Sequence, residues 1–312
     1  MRTHGGKCQN LGLWLDRFIL YERRGNQWEQ SQQSKRREAA PLNLQRLNQL
    51  LTACSRRWEA MLKSYEPDVV QFTAEPEWRV VIGLGSGHVL ETNITLHRIY
   101  GVPFIPASAV KGVTRAQAFW EIAEKLGVPS VSDDEAEWRG KAKRKTPLQL
   151  LNQLLSEGSV KEQTETLEQL QGDELCRDVA AVQSLNLDQW HALAGDFYAV
   201  FGTTKRQGKV IFFDAYPAQA PRMKLDVMNP HYADYYQQRV DKTGRPTPPA
   251  DYLSPVPVYF LTVERTPFAF ALASRDSHLR QTAEAWLRTA LSNLGIGSKT
   301  AAGYGFFSST QG

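Results

Sequence analysis

Near its C-terminal end the chain reads GIGSKTAAGYGFF, whose Gly-Ser-Lys-Thr core raises the question of phosphate binding. A P-loop needs glycine at the positions held here by Asn293 and Ser298, so that motif fails. A dinucleotide fingerprint fails too, because Thr300 stands where a third glycine or alanine is required. What remains is a glycine-rich loop carrying Gly297, Ser298, Lys299, Thr300, Gly303 and Tyr304. Bare backbone of this kind lets a ligand approach closely and presents N–H donors. A glycine helix cap followed by a turn is the structural alternative. A second glycine turn, GLGSG, supplies Gly83, Gly85 and Ser86. Ser108, Lys111 and Arg115 follow at steps of three and four. That spacing puts two cations on one side of a helix near its N-terminus, where phosphate is attracted; a plain helix surface is the alternative for Lys111.

Two further groups suit RNA. A basic turn holds Lys205 and Arg206, and the segment VMNPHYADYY interleaves Asn229, His231, Tyr232, Tyr235 and Tyr236. Aromatic rings on a projecting polar loop stack on unpaired bases, or else pin the loop to its own protein. Candidates for catalysis are few. His88, Glu91 and His97 near the first glycine turn could form an acid–base site for RNA cleavage, although a lone histidine there more often serves as a hydrogen-bonding residue. The histidines show no His-x-x-x-His spacing, and Cys8, Cys54 and Cys176 are scattered, so neither a metal nor another cofactor is expected.

The elements that must position these residues follow from periodicity. Residues 1–70 read as a basic, mostly helical extension: PLNLQRLNQLLTACSRRWEAMLKSY repeats apolar residues at three- and four-residue steps. The polar RRGNQWEQSQQSKRREAA before it reads as a loop. A strand at EWRVVIGLG leads into the glycine turn, and Ser108 is the expected N-cap of the helix SAVKGVTRAQAFWEIAEKLG. Residues 127–195 read as an acidic helical insert, since a structureless loop of that length is improbable. A strand around Val210–Ala215, a projecting segment at about 225–253, two strands around Thr266–Pro267, a helix at HLRQTAEAWLRTALSNL and a final strand GYGFF complete the chain. The predicted class is α+β. Its order of elements over 71–126 and 196–312 matches a ferredoxin-like β-α-β-β-α-β core.

At 312 residues and 22% charged, the chain has the composition of a globular protein with a substantial core. No run of about 18 apolar residues predicts a membrane span, and Asp16 and Arg17 break the N-terminal apolar stretch, arguing against a signal peptide. Three scattered cysteines fit a reducing cytoplasm. Net charge is +4, unevenly distributed: residues 127–200 hold 13 acidic and 7 basic groups, leaving the remainder at +10. That asymmetry fits a polyanion partner on one surface.

Taken in order, GLGSGHVLETNITLHRIYGVPFIPASAVKGVTR, AVFGTTKRQGKVIFFDAYP, VMNPHYADYY and GIGSKTAAGYGFF resemble the RAMP superfamily of CRISPR-associated proteins. Within it they are similar to the sixth-subunit family of type III-B (Cmr) effector complexes. The resemblance covers roughly residues 78–126 and 196–307. It implies a Cas7-like (RRM-type) fold with a thumb at 225–253, and crRNA binding by the Ser108–Arg115 helix and the glycine loop. It also implies target RNA and other Cmr subunits as partners, and a place capping the backbone near the 3′ end of the guide. Relatives that cut target RNA use an Asp in the loop after the first strand. GLGSGHVLETN has only Glu91 there, so a non-catalytic subunit is expected.

Overall fold

A computed structural model describes residues 10–17, 21–24, 27–30, 44–85, 92–142, 144–229, 255 and 257–308. In chain order the elements are α1 (Leu11–Arg17), β1 (Tyr21–Arg24), β2 (Gln27–Gln30), α2 (Leu44–Lys63), β3 (Val69–Ala74), β4 (Arg79–Val80) and α3 (Ala107–Leu126). Five helices follow: α4 (Asp133–Lys141), α5 (Pro147–Leu154), α6 (Val160–Gln171), α7 (Ala180–Gln183) and α8 (Leu187–Phe201). The chain continues through β5 (Gly202–Thr203), β6 (Arg206–Gln207), β7 (Ile211–Phe212), β8 (Tyr216–Pro217) and β9 (Arg222–Met228). It closes with β10 (Val258–Glu264), β11 (Phe268–Ala273) and α9 (Ser277–Asn293).

β11 organises the core. It pairs antiparallel with β3 along its whole length and with β7 and β8 on its other edge. Because successive residues of a strand face opposite ways, Phe268, Phe270 and Leu272 enter the main core while Ala271 and Ala273 face α2. Both faces are covered, and the run FAFALA is accordingly apolar throughout. Leu51, Cys54, Trp58 and Leu62 of α2 close the second face against Phe213 and Tyr216. On the opposite side α9 buries Leu279, Ala283, Leu287, Ala290 and Leu291, the helical stripe its periodicity predicts.

β10 belongs elsewhere. It lies between β4 and β9 in a separate antiparallel sheet, so the Thr266–Pro267 break carries the chain between sheets rather than around a hairpin. β3 is a strand the sequence reading passed over. The stretch RRGNQWEQSQQSKRREAA, read as a loop, contains β2, which pairs antiparallel with β1 from Tyr21 opposite Gln30 to Arg24 opposite Gln27. Gly-Asn is a hairpin-turn dipeptide, and that signal was there to be read. The expected final strand is reduced to one bridge, Pro76 with Phe307, flanked by Gly305 N–H to Arg79 O at 2.8 Å and Ser308 N–H to Glu75 O at 3.1 Å. Gly305, at φ 77°, and Pro76, which lacks an N–H, keep that ladder from lengthening. The helices α5, α6 and α8 start in capping boxes built on Thr146, Ser159 and Asn186.

Candidate nucleic-acid interface

The two glycine turns meet. Leaving β4, residues 81–85 fold back on 93–95 through Thr95 N–H to Ile82 O at 2.7 Å. The loop after α9 docks on this excursion: Ser298 N–H donates to Val81 O at 2.8 Å, and Leu84 N–H donates to Ser298 Oγ at 3.4 Å. The glycines divide into two kinds. Gly297 has φ 105°, and a Cβ there would overlap Val81 O; a Cβ on Gly83, at φ 78°, would overlap Thr95 Oγ1. Both are needed by the fold itself. Gly85 instead faces open space at no positive φ; Gly303 also has nothing within 4 Å of a Cβ, but its φ of 85° favours glycine all the same. Lys299 adopts φ 62° at the start of the 3₁₀ turn Thr300–Ala302, with Nζ 5.7 Å from the centroid of Phe260 and 3.9 Å from Met228 Sδ. The loop's cation therefore stands at the end of β9, whose following residue, Asn229, is exposed.

Under this loop lies a charged cluster that the sequence reading did not anticipate. Arg79 bonds to both Asp226 and Glu264, and the Tyr304 hydroxyl donates to Asp226 Oδ2 at 2.7 Å. Burial alone would raise the Asp226 carboxyl, but the Tyr304 hydroxyl, the Val227 N–H and the Arg79 guanidinium outweigh it and hold it below the usual range. Burial and the neighbouring carboxylate push the Tyr304 phenol up to about 12, which keeps it a donor. Tyr304 is 6% exposed with its hydroxyl committed, so it anchors the loop rather than offering a ring for stacking. The accessible ring is Trp78, 41% exposed, whose centroid lies 4.9 Å from that of Tyr304.

The basic residues ahead of and behind the insert gather at another place. Lys111 Nζ donates to Phe201 O at 3.1 Å; Arg115 donates to Ser156 Oγ at 3.2 Å and covers the Phe197 ring at 5.1 Å. Thr204 N–H reaches Ser156 O at 3.0 Å, bringing the β5–β6 turn alongside, and Lys205 pairs with Glu162 at 3.2 Å. Arg206 is exposed on β6. Among the described residues no hydrogen bond or ion pair joins this group to the glycine turns. The cap of α3 also differs from expectation. The helix begins after Pro106, Ser108 lies exposed inside its first turn, and Asp214 Oδ1 accepts the Ala107 N–H at 2.7 Å. A carboxylate of the chain itself thus takes up part of the anion-attracting end of α3. Because Lys111 and Arg115 hold α3 against α5 and α8, Lys111→Ala combined with Arg115→Ala is expected to cost about 1–3 kcal/mol of stability, readable in thermal melts, and to leave the salt dependence of RNA binding nearly unchanged.

His97 is a packed ring. Its Nδ1 accepts from the N–H groups of Ile99 at 3.2 Å and Tyr100 at 3.3 Å, and it lies against Tyr100, Phe104 and Tyr216. Burial holds its pKa below the usual value despite nearby Asp214, with Arg57 adding to the depression. Ser86, His88, Glu91, His231, Tyr232, Tyr235 and Tyr236 lie outside the described residues. Among the described residues no three His, Cys, Asp or Glu side chains group as metal ligands, and no helix is long and apolar enough to cross a membrane.

The family model of the RAMP superfamily matches residues 78–308. The chain is 36% identical over 233 residues to the CRISPR system Cmr subunit Cmr6 of Pyrococcus furiosus, a match covering 73% of this chain and 64% of that protein, just under two thirds of its length. Among solved structures it is similar to the crystal structure of Cmr6 from Pyrococcus furiosus, with 33% identity, 77% of this chain and 97% of that chain covered, and a TM-score of 0.44. It is also similar to a chain of the type III-B Cmr-beta complex bound to cognate target RNA, with 18% identity, coverage of 87% and 72%, and a TM-score of 0.48. With most of its length matched by the family model and more than a third of the aligned residues shared with a Cmr subunit, the chain belongs to the RAMP superfamily.

Proposed function

We propose that this protein is a non-catalytic, crRNA-binding subunit of a type III-B CRISPR (Cmr) RNA-guided effector complex, capping its backbone near the 3′ end of the guide. The observation that carries this reading is the pair of interlocked glycine turns inside residues 78–308, with Gly85 and Gly303 open to solvent and Lys299 beside them. A sugar-phosphate chain laid over such a surface meets backbone and one cation instead of bulky side chains. The mixed α/β core is ferredoxin-like and Cas7-like in this reading, with 225–253 as the thumb that touches guide and target RNA. Other Cmr subunits, those of the backbone and neighbouring RAMP subunits, are its protein partners. The 36% identity to Cmr6 supports the assignment of the complex.

Affinity purification of the chain from its host, with sequencing of the retained RNA, tests the assignment. Co-purified Cmr subunits and guide RNAs are expected, and neither should appear if the reading is wrong. Labelled single-stranded RNA incubated with the isolated chain should stay intact with and without magnesium. Lys299→Ala should weaken RNA binding uniformly across sequences and lower the slope of log affinity against log salt by about one phosphate contact.

A further inference from the structure

We propose that the cleft between α2 and the RAMP core is a pocket for one unstacked nucleobase of single-stranded RNA, guanine preferred; this rests on the RNA-binding reading above. The cleft holds about 620 Å³ and is walled by Arg57 and Trp58 of α2, His97 and Tyr100 of the turn preceding α3, Asp214 of the β7–β8 connection and Tyr216 of β8. α2 lies outside the residues matched by the family model.

The walls are flat rings. The centroid of His97 is 4.7 Å from that of Tyr100 and 6.0 Å from that of Tyr216, and Trp58 meets Tyr216 edge-on at 6.3 Å. Rings at these spacings are packed on one another, so a planar base would stack on the outer face of the partly exposed Tyr100 and not between them, whatever its identity. The polar groups supply the choice. Two N–H donors on Nδ1 fix His97 as the tautomer with a proton on Nε2, leaving it a donor. The Asp214 carboxylate is oriented by the Ala107 N–H. A carboxylate only accepts, and among the four bases guanine alone offers it two adjacent donors, N1–H and the N2 amine. Trp58 is 7% exposed, and its Nε1–H has no acceptor among the described residues. Exposed Arg57 adds a cation for the adjoining phosphate.

The test uses the full chain and four single-stranded heptamers: all-uridine, and the same with one central guanosine, adenosine or cytidine. The guanosine heptamer should bind about tenfold more tightly than the other three, the lower end of what one paired base contact supplies. Asp214→Asn retains a side-chain carbonyl for the Ala107 N–H but exchanges an acceptor for a donor. It should erase the guanosine preference, so that the variant binds the guanosine heptamer no more tightly than the other three. Should that variant fail to fold by circular dichroism, Tyr100→Ala should erase the preference instead. Equal binding of all four heptamers by the unaltered chain overturns the pocket alone, as does a preference that survives both substitutions. No binding of any heptamer overturns the RNA reading with it.

Discussion

Gly297→Val should cost roughly 4 kcal/mol or more and lower the melting temperature by on the order of 10 °C, before any RNA is added. Gly297 sits at φ 105°, a conformation closed to a β-branched residue, and its Cβ would overlap Val81 O and lie 2.6 Å from Ile82 Cδ1. Relief would require the loop to lift off β4, breaking the Ser298 N–H to Val81 O bond. Gly85→Val is the contrasting variant. Gly85 is exposed, has no positive φ, and nothing lies within 4 Å of a Cβ placed there. It should melt within a degree or two of the parent and yet lose RNA affinity on the order of tenfold, because added methyl groups would stand where the sugar-phosphate chain passes. Thermal melts and binding of a short single-stranded RNA, run on both variants, separate the two roles. A stable Gly297→Val protein would remove the packing argument, and normal RNA affinity in Gly85→Val would remove this turn from the interface.

Local signals were legible wherever one element carries them alone. The stripes of α2 and α9, the strands on either side of Thr266–Pro267 and the helical character of the insert can all be read from spacing. What escaped depends on partners far away in the chain. The cation of Arg79 and the carboxylate of Asp226 are 147 positions apart, and nothing near either one points to the other. The cap of α3 comes from Asp214, 107 residues beyond Ala107, so the adjacent Ser108 offered a local answer that tertiary structure overrode. Lys111 and Arg115 do share one side of α3, as their spacing requires. The sequence could not say that α5 and α8 would occupy that side.

The cluster around Arg79 yields the other large effect. Asp226→Ala should destabilise the protein by about 1–3 kcal/mol, since it leaves the Tyr304 phenol without its acceptor and the Arg79 guanidinium with Glu264 alone. Arg79, Asp226 and Glu264 have side chains only 18%, 16% and 23% exposed, so solvent does little to screen the loss. Tyr304 would be released along with them, and the Gly305 N–H to Arg79 O bond that seats the closing loop would loosen. Asp226→Asn should be milder, because the amide still accepts from Tyr304 and Arg79 at reduced strength. The same cluster gives stability a pH dependence with a definite sign. The folded-state pKa of Asp226 is depressed, so its contribution is complete above the unfolded carboxyl value of about 4 and is lost as pH falls through the lower folded value. Urea unfolding of the parent and of Asp226→Asn at pH 7 and again below pH 4 should show the gap between them narrowing in acid. A gap that stays constant with pH would mean that Asp226 contributes by packing and hydrogen bonding alone, with no share from its charge.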